Sequence, residues 1–157
     1  DHRDLHSFPT RRSSDLSTAQ LRFAEQNLAP CPERAARVVA LHHPVTPGPG
    51  RAGAAVVGEV RRALDAFAGA GVDLILTGHV HVADAIVLQH ATRAMIVARA
   101  GTAASTRLRG EAPSFNIIAT DPDRIDIDTL ALSPDGYAPR AKRRFIASGR
   151  GWRAAPE

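Results

Sequence analysis

The sequence predicts an α/β fold of layered architecture whose sheet turns antiparallel toward its end. Two observations carry that expectation. Two segments with apolar residues at helical spacing alternate with two short apolar runs of the buried-strand type. After them come four short β-rich runs separated by turn residues, so the order is α, β, α, β and then strands.

The elements follow in chain order. Thr18 to Ala29 reads as a helix: Leu21, Ala24 and Leu28 fall at helical spacing, Ser17 is placed to cap it, and Pro30 and Pro32 end it. Arg37 to Leu41 (RVVAL) is a buried-type strand stopped by His42-His43-Pro44. The stretch 44–53, PVTPGPGRAG, is a loop by its Pro and Gly content. Period 3.6 returns from Ala54 to Ala70, with Val56, Val60, Ala63, Leu64 and Phe67 on one face and Gly69 and Gly71 as stop signals. Asp73 to Thr77 (DLILT) is the second buried-type strand, broken by Gly78-His79-Val80-His81. The β-rich runs are 83–89, 94–98, 114–120 and 124–132. In the last, Ile125, Ile127 and Thr129 alternate with Asp126 and Asp128. The final ten residues read as a frayed tail.

Composition narrows the function classes. At 157 residues, 44% of them apolar, the chain has the length of one domain with a core. No stretch reaches the roughly 18–20 apolar residues of a membrane span, and no secretory signal pattern stands at the N-terminus. Cys31 is the single cysteine, which excludes an intrachain disulfide and favours a reducing, cytoplasmic setting. The net charge of +4 is spread over arginines, with Lys142 the one lysine and a short cluster at Arg140, Lys142, Arg143 and Arg144. Scattered charge of this kind disfavours nucleic acid as a partner.

The histidines are the chemically informative residues. His42-His43 falls at the C-terminal end of one predicted strand and His79-x-His81 at the end of the next. In open α/β sheets those strand ends are where ligands bind. In an extended segment, side chains two apart point the same way, so His79 and His81 could reach a common ion or two adjacent ones. Gly78 would let the backbone approach closely, and neutral imidazoles suit Zn, Fe or Mn. His90 reads as a loop residue. The metallo-β-lactamase signature His-x-His-x-Asp-His is excluded, because Ala83 and Asp84 stand at its last two positions.

VVALHHPV (38–45), the intervening helix and DLILTGHVH (73–81) together resemble the C-terminal half of calcineurin-like metallophosphoesterases. The nearest branch is the one with bacterial cyclic-nucleotide phosphodiesterase-like members. STAQLRFAEQNLA (17–29) and ARAGTAASTRLRGEAPSFNII (98–118) resemble the family's flanking segments, so the likeness covers about 17–120 and extends toward 132. The resemblance implies a layered α/β/β/α sandwich and two Fe-, Mn- or Zn-class ions. It implies His42 and His79 on one ion and His81 on the other, with His43 supporting a ligand or facing the phosphate. Counting back from Pro44 favours His42 over His43 as the ligand. The implied chemistry is hydrolysis of a phosphodiester or phosphomonoester by metal-activated water. The implied partner is a small phosphoester, cyclic nucleotides among the candidates.

The family's Asp-x-His, Gly-Asp-x-x-Asp and Gly-Asn-His motifs are missing. Asp4-x-His6 has the letters of the first, but no apolar strand precedes it. Residues 1–16, DHRDLHSFPTRRSSDL, resemble a translated short-read sequencing adapter, so the expectation is a non-native segment ahead of a domain part at 17–157 that lacks its first half. Such a chain is expected to expose an apolar sheet edge and to be inactive by itself. The alternative expectation is a non-catalytic binding or scaffold module of the same fold.

Overall fold

Two helices and two four-stranded sheets make up the structure, a computed structural model that describes residues 15–32, 34–47, 58–104 and 110–156. The elements are α1 (Thr18–Leu28), β1 (Val38–Ala40), α2 (Val60–Gly69), β2 (Leu74–Thr77), β3 (Asp84–His90), β4 (Arg93–Arg99), β5 (Ser114–Asp121), β6 (Arg124–Ser133), β7 (Gly136–Ala147) and β8 (Trp152–Ala154). Residues 1–14, the start of the second helical pattern including Val56, most of the loop at 44–53 and the turn at 105–109 lie outside the described residues.

Ser17 caps α1 as its position predicts. Its side chain accepts from the Gln20 backbone N–H, and the Gln20 side chain returns a bond to the Ser17 N–H, a complete capping box. In the first sheet the strand order is β1-β2-β4-β3, with β1 and β4 parallel to β2 and β3 antiparallel to β4. The second sheet, β5-β6-β7-β8, is antiparallel throughout. The expected turn from parallel to antiparallel pairing is therefore present, spread over two sheets.

Strand alternation sorts the apolar residues into two cores. Ile75, Met95 and Val97 point toward the helices, where they meet Leu21, Ala63, Leu64 and Phe67. Leu74, Ile96, Ala98 and Ala85 point the other way and meet Ile125, Ile127, Phe145 and Trp152 of the second sheet. The layers are thus α/β/β among the described residues. On β6 the other alternate residues, Asp126 and Asp128, pair with Arg124 and Arg144. Arg140 forms a two-point bond with Glu111, so two of the four cations in the basic cluster are neutralised at short range.

β1 lies at the edge of the first sheet and pairs with β2 alone among the described residues. Val38 on it is 39% exposed, and Phe23 on α1 is 68% exposed. A groove of about 310 Å³ runs between α1 and β1, floored by Leu21, Val39, Leu41 and Phe67. Leu16, the last residue of the segment set aside on sequence grounds, also lines it.

Three sequence expectations need correction. The final ten residues are not frayed: Trp152–Ala154 pairs with β7 and Trp152 is buried. Gly151 bridges to Ala94 across the sheets, and a Cβ there would overlap the Ala94 backbone. β7 is a strand that no sequence pattern announces, because Phe145 is the one buried residue in a run that is otherwise exposed or half-buried. His90 is the last residue of β3, where its Nε2 lies 2.7 Å from Asp65 Oδ1 of α2. It ties the hairpin to the helix.

Candidate metal centre

The parallel pair β1–β2 brings the two histidine segments to one end of the sheet. Pairing continues one step past each strand: Leu41 N–H donates to Leu76 O, and Gly78 N–H donates to His42 O at 3.1 Å. Pro44 and Val45 are buried immediately afterwards, which turns the His42–His43 loop down into the fold. Two side chains follow from this anchoring: His42 and His43 are left standing at the rim.

After β2 the chain makes a three-residue turn, closed by Val80 N–H to Gly78 O at 2.8 Å. His79 sits at its centre with φ 66°, the sign of the strained γ-turn. His81 is also left-handed, at φ 58°. The segment is therefore not extended, and the alternation argument for His79 and His81 does not apply. Val80, buried to 5% exposure, takes the inward position between them. Gly78 is not required by the approach to His42, since an added Cβ would sit 3.7 Å from His42 O, an ordinary contact.

His42, His43 and His79 form the cluster, with one ligand nitrogen from each lying within 4.8 Å of the others. His79 Nδ1 and His42 Nε2 are 3.2 Å apart. The ring centroids of His43 and His79 are 4.4 Å apart, and those of His42 and His43 4.9 Å. A tetrahedral ion about 2.0–2.1 Å from each nitrogen spaces its ligand atoms about 3.3 Å apart, so the His42–His79 pair already has that spacing. Burial, then the neighbouring His79 and His42, lower the pKa of His43 from its ordinary 6.5. That favours the neutral ring, the form that ligates. His81 lies outside this group, and no carboxylate joins it among the described residues.

A buried cation that sequence reasoning did not single out bonds the segments that follow the two histidine pairs. Arg99 ends β4 and is 2% exposed. Its Nη1 donates to Thr46 Oγ1 at 2.8 Å, and its Nη2 to Pro47 O at 3.3 Å and Asp84 Oδ2 at 3.0 Å. Its backbone carbonyl accepts from Asn116 Nδ2. Burial holds the guanidinium pKa below its usual value against a smaller opposing pull from Asp84. An arginine closing the apolar run AMIVA was the available signal.

No family model matches the chain, and no curated protein does. Among solved structures the chain is similar to Vps29 of Entamoeba histolytica. To a single mutant it is 19% identical over 58% of this chain and 47% of that one, with a TM-score of 0.37. A double mutant of the same protein gives 20%, 56% and 43%, with a TM-score of 0.38. Vacuolar Protein Sorting 29 of Cryptosporidium parvum gives 22%, 57% and 42%, with a TM-score of 0.39. The chain thus spans less than half the length of each of these proteins.

Proposed function

We propose that the chain holds one divalent transition-metal ion of the Zn, Fe or Mn class through His42, His43 and His79 and acts as a metal-binding module. The observation that carries this is the convergence of three imidazoles from two loops, one nitrogen from each within 4.8 Å of the others and the His42–His79 pair at 3.2 Å, with no carboxylate in the group among the described residues. Three histidines with an open fourth position are a donor set that suits zinc. The ligand set differs from the one the family resemblance implies, with His43 inside the group and His81 outside it. One ion, not two, is the stoichiometry this geometry favours.

Hydrolysis of a phosphodiester or phosphomonoester belongs to a longer parent chain. There, carboxylates beyond the imidazole group would hold a second ion and the attacking water between them. The motifs HHPV and GHVH support that parent reading. The three-imidazole group itself supports binding as the role of this chain. A reducing cytoplasmic setting is part of the same proposal, resting on the single Cys31. No helix among the described residues is long and apolar enough to cross a membrane.

The test is a calorimetric titration with Zn²⁺, paired with an assay of bis(p-nitrophenyl) phosphate hydrolysis. The expected result is one ion per chain, binding lost in His79→Ala, and no hydrolysis beyond that of free metal. No Zn²⁺ binding by the unaltered chain would overturn the metal assignment. Hydrolysis that disappears in His79→Ala would replace the binding module with an enzyme.

A further inference from the structure

We infer that Arg99 is a positioning residue of the imidazole cluster, clamping the two loops that carry it. This deepens the metal reading and rests on it for its functional meaning, but its geometry stands by itself. The histidines occupy two separate loops, 41–47 and 78–83, joined by the main-chain bond from Gly78 N–H to His42 O and by the ring contact of His79 Nδ1 with His42 Nε2. A cluster so supported would spread as its rings move apart. Arg99 supplies a further tie. Its Nη1 donates to Thr46 Oγ1 and its Nη2 to Pro47 O, three and four residues beyond His43. Nη2 also donates to Asp84, the first residue of β3, five residues beyond His79.

The clamp is rigid for three reasons. Arg99 is the residue paired with both Thr77 and Asp84 in the ladders, so its backbone is fixed on two sides. Its carbonyl is held by Asn116, whose Oδ1 accepts from Thr129, which anchors it to the second sheet. Its planar fork fixes the direction of each bond, which a lysine could not do. Only Nε remains without a partner among the described residues, as does Thr77 Oγ1 at the paired position. A buried cation with one acidic partner costs desolvation that an apolar residue of the same volume would avoid. Its arrangement is explained by what it holds in place.

The experiment compares the full chain with Arg99→Met and Thr46→Val, using two readouts. The first is the ¹H–¹⁵N spectrum of the histidine rings without metal, alongside far-ultraviolet circular dichroism to establish folding. The second is Co²⁺ titration followed by its visible absorption. Groups that orient metal ligands typically govern affinity by about 10–100-fold. Arg99→Met is expected to keep the dichroism, shift the His42 and His43 ring resonances and weaken Co²⁺ about ten-fold or more. Thr46→Val, which removes one acceptor and leaves the buried ion pair intact, is expected to do the same to a smaller degree. Unshifted ring resonances in a folded Arg99→Met overturn the inference. If that variant unfolds, Thr46→Val with unshifted rings and unchanged affinity overturns it. Failure of the unaltered chain to bind Co²⁺ overturns the metal reading instead, and the ring resonances still judge Arg99.

Discussion

β2 carries a polar cluster at each end, and the two are built on opposite principles. At its start, buried Asp73 has every partner it needs. It accepts from the Arg37 backbone N–H at 2.9 Å, from Arg93 Nη2 at 2.7 Å and from Trp152 Nε1 at 3.0 Å. At its far end, His42, His43 and His79 have one another, in strained or rim positions, with no opposite charge in the group. A saturated buried network is how a fold ties elements together. Like groups held close and unneutralised are how a fold keeps a place for something else. Only four residues of strand separate the two.

The largest test of that contrast is deletion at each end. Asp73→Ala takes the carboxylate from Arg93, which keeps its bonds to Val72 O and Gly71 O, leaves the buried Trp152 N–H without its acceptor, and is expected to cost about 3 kcal/mol. His79→Ala in the metal-free chain is expected to cost less than about 0.5 kcal/mol, as at an exposed position. Urea unfolding of both variants measures the gap, and equal costs would erase the distinction.

Acidification gives the next test. The pKa of His43 is lowered in the folded chain by burial and by its two histidine neighbours. The folded state therefore binds fewer protons than the unfolded state below the ordinary value of 6.5. Stability from this source is full above that pH and falls as the pH drops through it toward the folded value. The urea midpoint of the metal-free chain is expected to fall between pH 7.5 and pH 5.5, and His43→Gln is expected to flatten that fall. A midpoint drop undiminished in His43→Gln would assign it to other groups. The smallest effect concerns backbone strain: His79→Gly relieves a left-handed φ and is expected to stabilise the metal-free chain by about 0.5–1 kcal/mol. A thermal melt reads this, and destabilisation would mean the imidazole is held by more than its turn.

How much of this was legible depended on whether the signal was local. α1 could be read because its cap and apolar face lie within a dozen residues. β6 could be read because one of its faces is buried and the other is charged. β7 could not, since its outer residues are Arg and Lys answered by Asp126 and Asp128 on another strand. Trp152 looked like part of a tail because its partner, Asp73, lies 79 positions away. The histidine segments pointed correctly to one end of the sheet, and the resemblance of HHPV and GHVH added a family expectation. Which imidazoles meet was not legible, because buried Val80 and two positive φ angles decide it. Arg99 escaped notice for the same reason: its three side-chain partners come from segments on both sides of the histidines.

β1 is three residues long and, among the described residues, hydrogen-bonded along one side only, yet the His42–His43 loop hangs directly from it. Amide exchange in such an edge strand proceeds through local opening and not through global unfolding. Each opening carries two of the three imidazoles away from the third. An ion seated on all three would have to be released before β1 could peel away. Zn²⁺ would therefore slow exchange at Val39 and Leu41 far more than in the buried strands β2 and β4. The metal would act as a latch on the weakest strand of the sheet.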